Sequence, residues 1–473
     1  MSNGTTTTSE PVLKYTPLEE IPKELRLVIQ IRETLKQAFR SGKLKSIEYR
    51  KQQVLQLGYL IQDNVERFQK ALAADLGRPV QESNVLEIAS MVAEGQHTYK
   101  NVAKWAKTER APFSITFAAM GPAIRKEAKG VVLIISPFNY PVWLSIGPMF
   151  GAIAAGNAVV LKPSELSVHT SALFAELFPK YLDNDLFRVV NGAIPETSKL
   201  LELQWDHSGG NVGRIVATAA AKHLTPVSLE VSKSPCVIDP KTDMKVAARR
   251  IMWGKTSNAG QTCIAPDYVL VPHDAEDKLI EAIKEVYHEF YPDGPLKSNS
   301  FSRIISDAHF RRIKGLLDDT KGSIVIGGET DAAQKFIAPT IVKDVTPGDS
   351  LMSQELFGPI LPIIPVKSVD EAIEIINSGD HPLVIYVFTH DSKFKAHVFD
   401  NTQSGAAIAN EALLHAGDGA HRGKYSFEMF THNRATMDSP GWIDLIMGSR
   451  YPPYTVRFLP IVVYVQLDEV IAW

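Results

Sequence analysis

From about Glu24 to Lys107, apolar residues recur at helical spacing with few breakers, which predicts a helical region. Between Thr108 and Lys126 the pattern changes. Phe113, Ile115 and Phe117 alternate with small or polar residues, and Pro112 and Pro122 flank them, predicting a protruding hairpin or arm. From Val131 onward strands and helices alternate. Val131-Val-Leu-Ile-Ile135 reads as a buried strand, followed by a helix containing Gly151-Ala-Ile-Ala-Ala-Gly156 and a strand Ala158-Val-Val-Leu161. A helix over 168–177, a strand Phe187-Arg-Val-Val190 and a helix over 195–203 continue the series. Such repetition predicts a parallel sheet covered by helices on both faces.

A second alternating block runs from about Val237 to Ile408, with strands expected at 268–271, 324–326, 360–366 and 384–388. The fold class is therefore α/β with two parallel-sheet domains. Ligands in such sheets bind beyond the carboxyl ends of the strands, where Asn139, Lys162 and Glu165 fall. The span 130–161 carries no charged residue and is long enough to cross a bilayer. Its Pro137, Pro141, Pro148, Asn139 and Asn157 fit a buried strand, turn and helix better. The apolar run Phe458-Leu-Pro-Ile-Val-Val-Tyr-Val465 is too short to span, and Asp468 and Glu469 follow it. The expectation is a soluble, cytoplasmic protein, with peripheral membrane contact left open.

Composition narrows the function classes. At 45% hydrophobic and 22% charged residues, the chain has ordinary globular content. A net charge of −3 without a long basic run argues against nucleic acid, which needs clustered Lys and Arg. Lys100, Lys104, Lys107 and Arg110 fit a solvated helix face. Two cysteines in 473 residues fit a reducing compartment rather than a disulfide framework. The start, Met-Ser-Asn-Gly-Thr-Thr-Thr-Thr-Ser-Glu, has neither a basic nor an apolar secretory region and reads as a tail.

Individual motifs are weak. Gly254-Lys-Thr256 resembles the end of a phosphate-binding loop, but Arg249 stands where that loop needs glycine. His288-Glu289 begins like a zinc-protease helix, but Pro292 replaces the second histidine, and the other histidines show no ligand spacing, so no metal is expected. Ser208-Gly-Gly-Asn-Val-Gly213 resembles half of a dinucleotide fingerprint, in which a glycine turn opens a helix whose amides bind pyrophosphate. That turn should follow a strand, yet only Gln204-Trp-Asp-His207 separates it from the preceding helix. Glu230, Glu355 and Asn139 each have an ordinary alternative, as surface carboxylates or a helix cap. Cys263 stands out more. It lies in the polar, glycine-containing stretch Gly260-Gln-Thr-Cys263, whereas structural cysteines keep apolar company.

The combination decides. Ser136-Pro-Phe-Asn-Tyr-Pro141, Gly156-Asn-Ala-Val-Val-Leu-Lys-Pro-Ser-Glu165, the run 224–230, Gly260-Gln-Thr-Cys263 and Glu355-Leu-Phe-Gly-Pro359 follow the order and spacing of the aldehyde dehydrogenase superfamily. Ala219-Ala-Ala-Lys-His-Leu-Thr-Pro-Val227, Cys263-Ile-Ala-Pro-Asp267 and Arg450-Tyr-Pro-Pro-Tyr454 resemble its class 3, fatty-aldehyde branch, and the likeness runs from about Leu25 to Thr455. The resemblance implies NAD(P)-dependent oxidation of an aldehyde, medium- or long-chain and aliphatic, to its acid. Cys263 would be the nucleophile, Asn139 and the Cys263 backbone N–H the oxyanion donors, and Glu230 the base that activates water. Lys162 and Glu165 would hold the adenosine ribose, Ser208, Gly209 and Gly213 the pyrophosphate turn, and Glu355 and Phe357 the nicotinamide end. An acidic Glu165 favours NAD, and the branch tolerates NADP as well. The implied organisation is a cofactor domain at 1–107 and 129–229, a catalytic domain at 230–408, and an oligomerisation arm at 108–128 with 409–473, assembled as a homodimer.

Three departures from that family pattern fall in glycine-rich loops. A strand and glycine turn are missing between His207 and Ser208. Glu230-Val-Ser-Lys233 is one residue short and lacks glycine, and Gly417-Asp-Gly-Ala420 stands where a Pro-Phe-Gly-Gly loop belongs. Loss of a central strand is expected to break the sheet unless flanking residues are recruited. A catalytically impaired relative that binds a dinucleotide or a protein is therefore the competing reading. An acylating enzyme that passes its thioester to coenzyme A is disfavoured by the presence of Glu230.

Overall fold

The helical spacing of the first hundred residues is realised as α1 (Lys23–Arg40), α2 (Ile47–Gln62), α3 (Val65–Leu76), the single turn α4 (Val80–Ser83) and α5 (Ala89–Trp105). The computed structural model describes residues 23–114, 117–205, 207–209, 213–228, 233–414 and 422–452. Ser46 caps α2 by accepting from the Tyr49 N–H, and Val54, Leu57, Leu60 and Ile61 of that helix are fully buried. Each such side chain stabilises the fold by roughly 1.5–3 kcal/mol. Between α4 and α5 the chain makes one π-helical turn, Asn84–Ile88, an irregularity common near functional sites.

The expected hairpin forms, with its strands on either side of the alternating aromatics rather than on them. Its hairpin strands are β1 (Glu109–Arg110) and β2 (Ala123–Ala128), paired antiparallel as Glu109↔Ile124 and Arg110↔Ala123. The alternating aromatics lie beyond β1, with Phe113 and Phe117 exposed, and Ile115 falls outside the described residues. Pro112 has no N–H to donate, so the ladder cannot continue through it.

The uncharged span 130–161 is strand, helix and strand: β3 (Val131–Ile135), α6 (Trp143–Ala155) and β4 (Ala158–Lys162). Every residue of β4 is buried, which explains a continuous apolar run rather than alternation. Then come α7 (Val168–Tyr181), β5 (Phe187–Val189), α8 (Ile194–Glu202), β6 (His207–Gly209), α9 (Gly213–Ala221) and β7 (Val227–Ser228). The five strands form a parallel sheet in the order β5-β4-β3-β6-β7.

This sheet corrects the expectation of a break. His207, Ser208 and Gly209 take the place of the missing strand, pairing Val132↔His207, Leu133↔Ser208 and Ile134↔Gly209 on one side and Ser208↔Val227 on the other. The reason is that unpaired backbone N–H and C=O groups beside β3 would cost more than extending the flanking chain.

The second block builds β8 (Pro235–Ile238), α10 (Met244–Thr256), β9 (Tyr268–Pro272), β10 (Ser323–Ile326), the two-stranded ribbon β11 (Thr330–Asp331) and β12 (Phe336–Ile337), β13 (Thr340–Lys343), β14 (Ile360–Val366), β15 (Val384–Phe388) and β16 (Ala406–Ala409). Seven of these strands order as β10-β13-β14-β9-β8-β15-β16, parallel except for β10. Each large sheet has its own apolar core. The strand β17 (Thr431–Thr436) returns to pair antiparallel with β2, from Thr431↔Ala128 to Thr436↔Ala123, and completes the arm sheet. Among the described residues, no helix is long and apolar enough to cross a membrane.

Candidate functional site

The loop leaving β3 begins with Ser136, whose N–H donates to the Lys162 carbonyl at 3.0 Å, so the ends of β3 and β4 are held edge to edge. Three residues on, Asn139 is 1% exposed, and both polar atoms of its side chain lack a hydrogen-bond partner among the described residues. A buried primary amide left unsatisfied costs about 1–3 kcal/mol. Its backbone is the opposite, over-determined. The Asn139 carbonyl accepts from Asn258 Nδ2 at 2.8 Å and from the Arg78 guanidinium. Fixed main chain beneath a bare amide is what a preorganised donor requires.

Asn258 belongs to the loop that carries Cys263. After α10, Asn258, Ala259 and Gly260 all take the left-handed conformation, with φ of 53°, 52° and 72°. For Asn and Ala that costs on the order of 1–2 kcal/mol each. Hydrogen bonds hold the turn in place: Asn258 Nδ2 also donates to the Gln261 carbonyl at 2.9 Å, and Gln261 Nε2 donates to the carbonyls of Asn258 and Arg303, both at 3.0 Å. Gly260 is obligatory on two counts, its φ and its neighbour: a Cβ there would stand 2.2 Å from the Gly358 carbonyl oxygen.

Cys263 follows, partly exposed, in a turn closed by the Ala265 N–H to the Thr262 carbonyl at 3.0 Å. Its own carbonyl accepts from Ser234 Oγ at 3.0 Å, and the next carbonyl, of Ile264, accepts from the Tyr386 hydroxyl at 2.6 Å. The other cysteine, Cys236, is fully buried on β8, and burial pushes its thiol up, so it is no competitor as nucleophile.

The close approach of Gly260 to Gly358 brings in the third segment. Leu356 donates its N–H to Asp267 Oδ1 at 3.1 Å, while Arg312 donates to the Glu355 carbonyl at 3.2 Å and the Leu356 carbonyl at 2.7 Å. Phe357 has φ 46° and meets Phe138, on the Asn139 loop, edge to face at 5.8 Å. Burial, then the Asp267 carboxylate, raise the Glu355 carboxyl to about 8 against the pull of Lys255, Arg312 and Lys233. Lys255, the residue that had suggested a phosphate loop, is instead buried on α10 with its ammonium 3.9 Å from Asp267.

At the carboxyl end of β4, the buried Lys162 ammonium donates to the Pro163 carbonyl at 2.7 Å and to Glu165 Oε2 at 3.2 Å. An ammonium and a carboxylate on this rim fit a polyhydroxylated, anionic cofactor. The predicted glycine turn needs correction here. Ser208 and Gly209 lie in β6, not in a turn, because they were recruited to repair the sheet, and of the three only Gly213 opens a helix. Glu230 lies outside the described residues, two positions beyond the end of β7.

Sequence reasoning missed Arg78, Tyr140, Asn258 and the Lys255–Asp267 pair. Arg78 and Asn258 are 180 positions apart, and no spacing rule connects them.

The chain matches the model of the aldehyde dehydrogenase family over residues 14–424. It is 43% identical over 437 residues to aldehyde dehydrogenase family 3 member A2 of Rattus norvegicus, covering 89% of this chain and 90% of the relative. It is 42% identical over 436 residues to the dimeric NADP-preferring aldehyde dehydrogenase of the same organism, covering 88% and 96%. The fold superposes on a substrate-bound Staphylococcus aureus AldH with a TM-score of 0.88 at 35% identity, over 92% of this chain and 99% of that one.

Proposed function

Since this chain belongs to the aldehyde dehydrogenase family and oxidises aldehydes with NAD(P), we propose that the chemistry runs through Cys263, Asn139 and Glu230. The supporting observation is the buried Asn139 side-chain amide, without a hydrogen-bond partner among the described residues, on a residue whose backbone carbonyl accepts from the loop that carries Cys263. The Cys263 sulfur adds to the aldehyde carbon, giving a thiohemiacetal. The developing oxyanion takes the hydrogen bonds of the Asn139 Nδ2–H and the Cys263 N–H. When bound, the nicotinamide ring supplies the hydride acceptor. Glu230 then takes a proton from the water that attacks the remaining thioester, which releases the acid and restores the thiolate.

Lys162 and Glu165, paired at the end of β4, would hold the adenosine ribose, and the carboxylate would favour a free 2′-hydroxyl, so NAD is the first cofactor and NADP the second. Gly213, the first residue of α9, would hold the pyrophosphate together with Ser208 and Gly209 of β6. Glu355 and Phe357 hold the nicotinamide end. The substrate is a medium- or long-chain aliphatic aldehyde, as the fatty-aldehyde-like strings at 219–227 and 450–454 imply. The arm sheet β1-β2-β17, with Phe113 84% exposed beside it, is the dimer contact.

Product analysis tests this reading. The full chain with octanal and NAD is expected to release octanoate and one NADH per acid formed, without coenzyme A. A stable acyl-enzyme that needs coenzyme A for release would overturn the role of Glu230.

A pH dependence follows from Glu355. Below about 8 its carboxyl holds a proton, and above that it is a carboxylate able to accept from two ribose hydroxyls. KM for NAD is therefore expected to fall as pH rises through about 8, and Glu355→Gln to flatten the curve. Initial rates against NAD between pH 6.5 and 9.5 check it.

A further inference from the structure

We propose that Arg78 is a positioning residue for the oxyanion site, one cation that locks the Asn139 loop and the Cys263 loop to each other. The proposal rests on the reading of Asn139 as an oxyanion donor. Arg78 leaves the turn between α3 and α4 with a fully buried side chain. A cation so placed must be paired, and Glu87 on the π-helical turn pairs with it through Oε1. The second oxygen of Glu87 accepts the N–H groups of Val142 and Trp143, both at 2.8 Å, and so anchors α6, which starts four residues after Asn139.

An ion pair that served stability alone would end there. Instead the remaining donors of the guanidinium reach both catalytic loops. One goes to the Asn139 carbonyl, and Nε goes to Asn258 Oδ1 at 3.2 Å. Asn258 in turn donates to the carbonyls of Asn139 and Gln261. The guanidinium also lies 4.6 Å from the centre of the Tyr140 ring, and the Tyr140 hydroxyl is 3.0 Å from Thr262 Oγ1, next to the nucleophile. The two oxyanion donors belong to different α/β bodies, and the Asn139–Asn258 hydrogen bond and the Tyr140–Thr262 contact that join their loops both involve groups that Arg78 touches. A planar fork with several fixed donors can make these contacts at once, where a point charge cannot.

The test is a thermodynamic cycle on the full chain, read as kcat with octanal and NAD. Arg78→Met with Glu87→Gln removes both charges together, so neither is left buried alone, and the glutamine oxygen still accepts at α6. The pair of substitutions is expected to lower kcat by about 10–10²-fold, the scale of a 1 Å misplacement, with KM for NAD within about twofold. On an Asn139→Ala background the same pair is expected to cost less than about threefold, because the group it positions is gone. Arg78→Lys keeps a cation on Glu87 but cannot span to Asn258. Its expected loss is about 3–10-fold, again absent on the Asn139→Ala background, and it serves if the double variant does not fold. Equal losses on both backgrounds reject the positioning role and leave the Asn139 assignment standing. An Asn139→Ala protein with normal kcat overturns both.

Discussion

The Cys263→Ala protein is expected to bind NAD as the parent does and to form essentially no NADH from octanal, with kcat lower by at least about 10⁴-fold. In the proposed mechanism the Cys263 thiolate is the group that converts a planar carbonyl into a tetrahedral hydride donor, so its loss is not expected to be compensated. Cys236 cannot stand in. It is fully buried on β8, and burial holds its thiol in the protonated form. Cys263→Ser is expected to recover little, since a hydroxyl is far weaker as a nucleophile near neutral pH. The measurement is NADH absorbance with saturating aldehyde, together with cofactor binding by quenching of tryptophan fluorescence. Turnover within tenfold of the parent would remove Cys263 from the mechanism.

Asn139→Ala separates catalysis from stability. Kcat is expected to fall by about 10²–10³-fold, or roughly 2.7–4 kcal/mol of transition-state stabilisation, the usual loss for one oxyanion donor. The fold should not suffer. The deleted amide makes no hydrogen bond within the described structure, and the contacts that hold this loop run through the backbone carbonyl, which alanine keeps. Thermal unfolding is therefore expected at the parent temperature or slightly above it, because an unsatisfied buried polar group is removed. An asparagine that served as a cap would behave in the reverse way, losing stability and keeping rate. Paired measurements of kcat and melting temperature decide between the two.

The strand at 131–135, the helix after it and the strand at 158–162 were legible because a buried parallel sheet demands continuous β-branched and aliphatic runs, and turn residues punctuate them. Strands 360–366 and 384–388 were legible for the same reason. The arm was legible as a hairpin but not in the position of its strands, since β1 stops at Arg110, before Pro112, and the alternating aromatics lie beyond it. Among the site residues, Cys263 announced itself by the polar glycine loop around it, and Asn139, Lys162 and Glu165 by standing just past strand ends.

By itself the sequence determined the fold class and the order of the motifs and singled out Cys263 as the candidate nucleophile, because each depends on residues near one another in the chain. Only the tertiary structure decided whether the sheet survived the gap after His207. Backbone pairing is a demand of the neighbouring strands β3 and β7, and it drew Ser208 and Gly209 out of the glycine turn that local pattern suggested and joined them to His207 in β6. Only the tertiary structure, too, decided what holds the Asn139 loop in place. Arg78, Glu87, Asn139 and Asn258 converge from four separate segments because a buried guanidinium must satisfy its donors wherever acceptors can be brought to it.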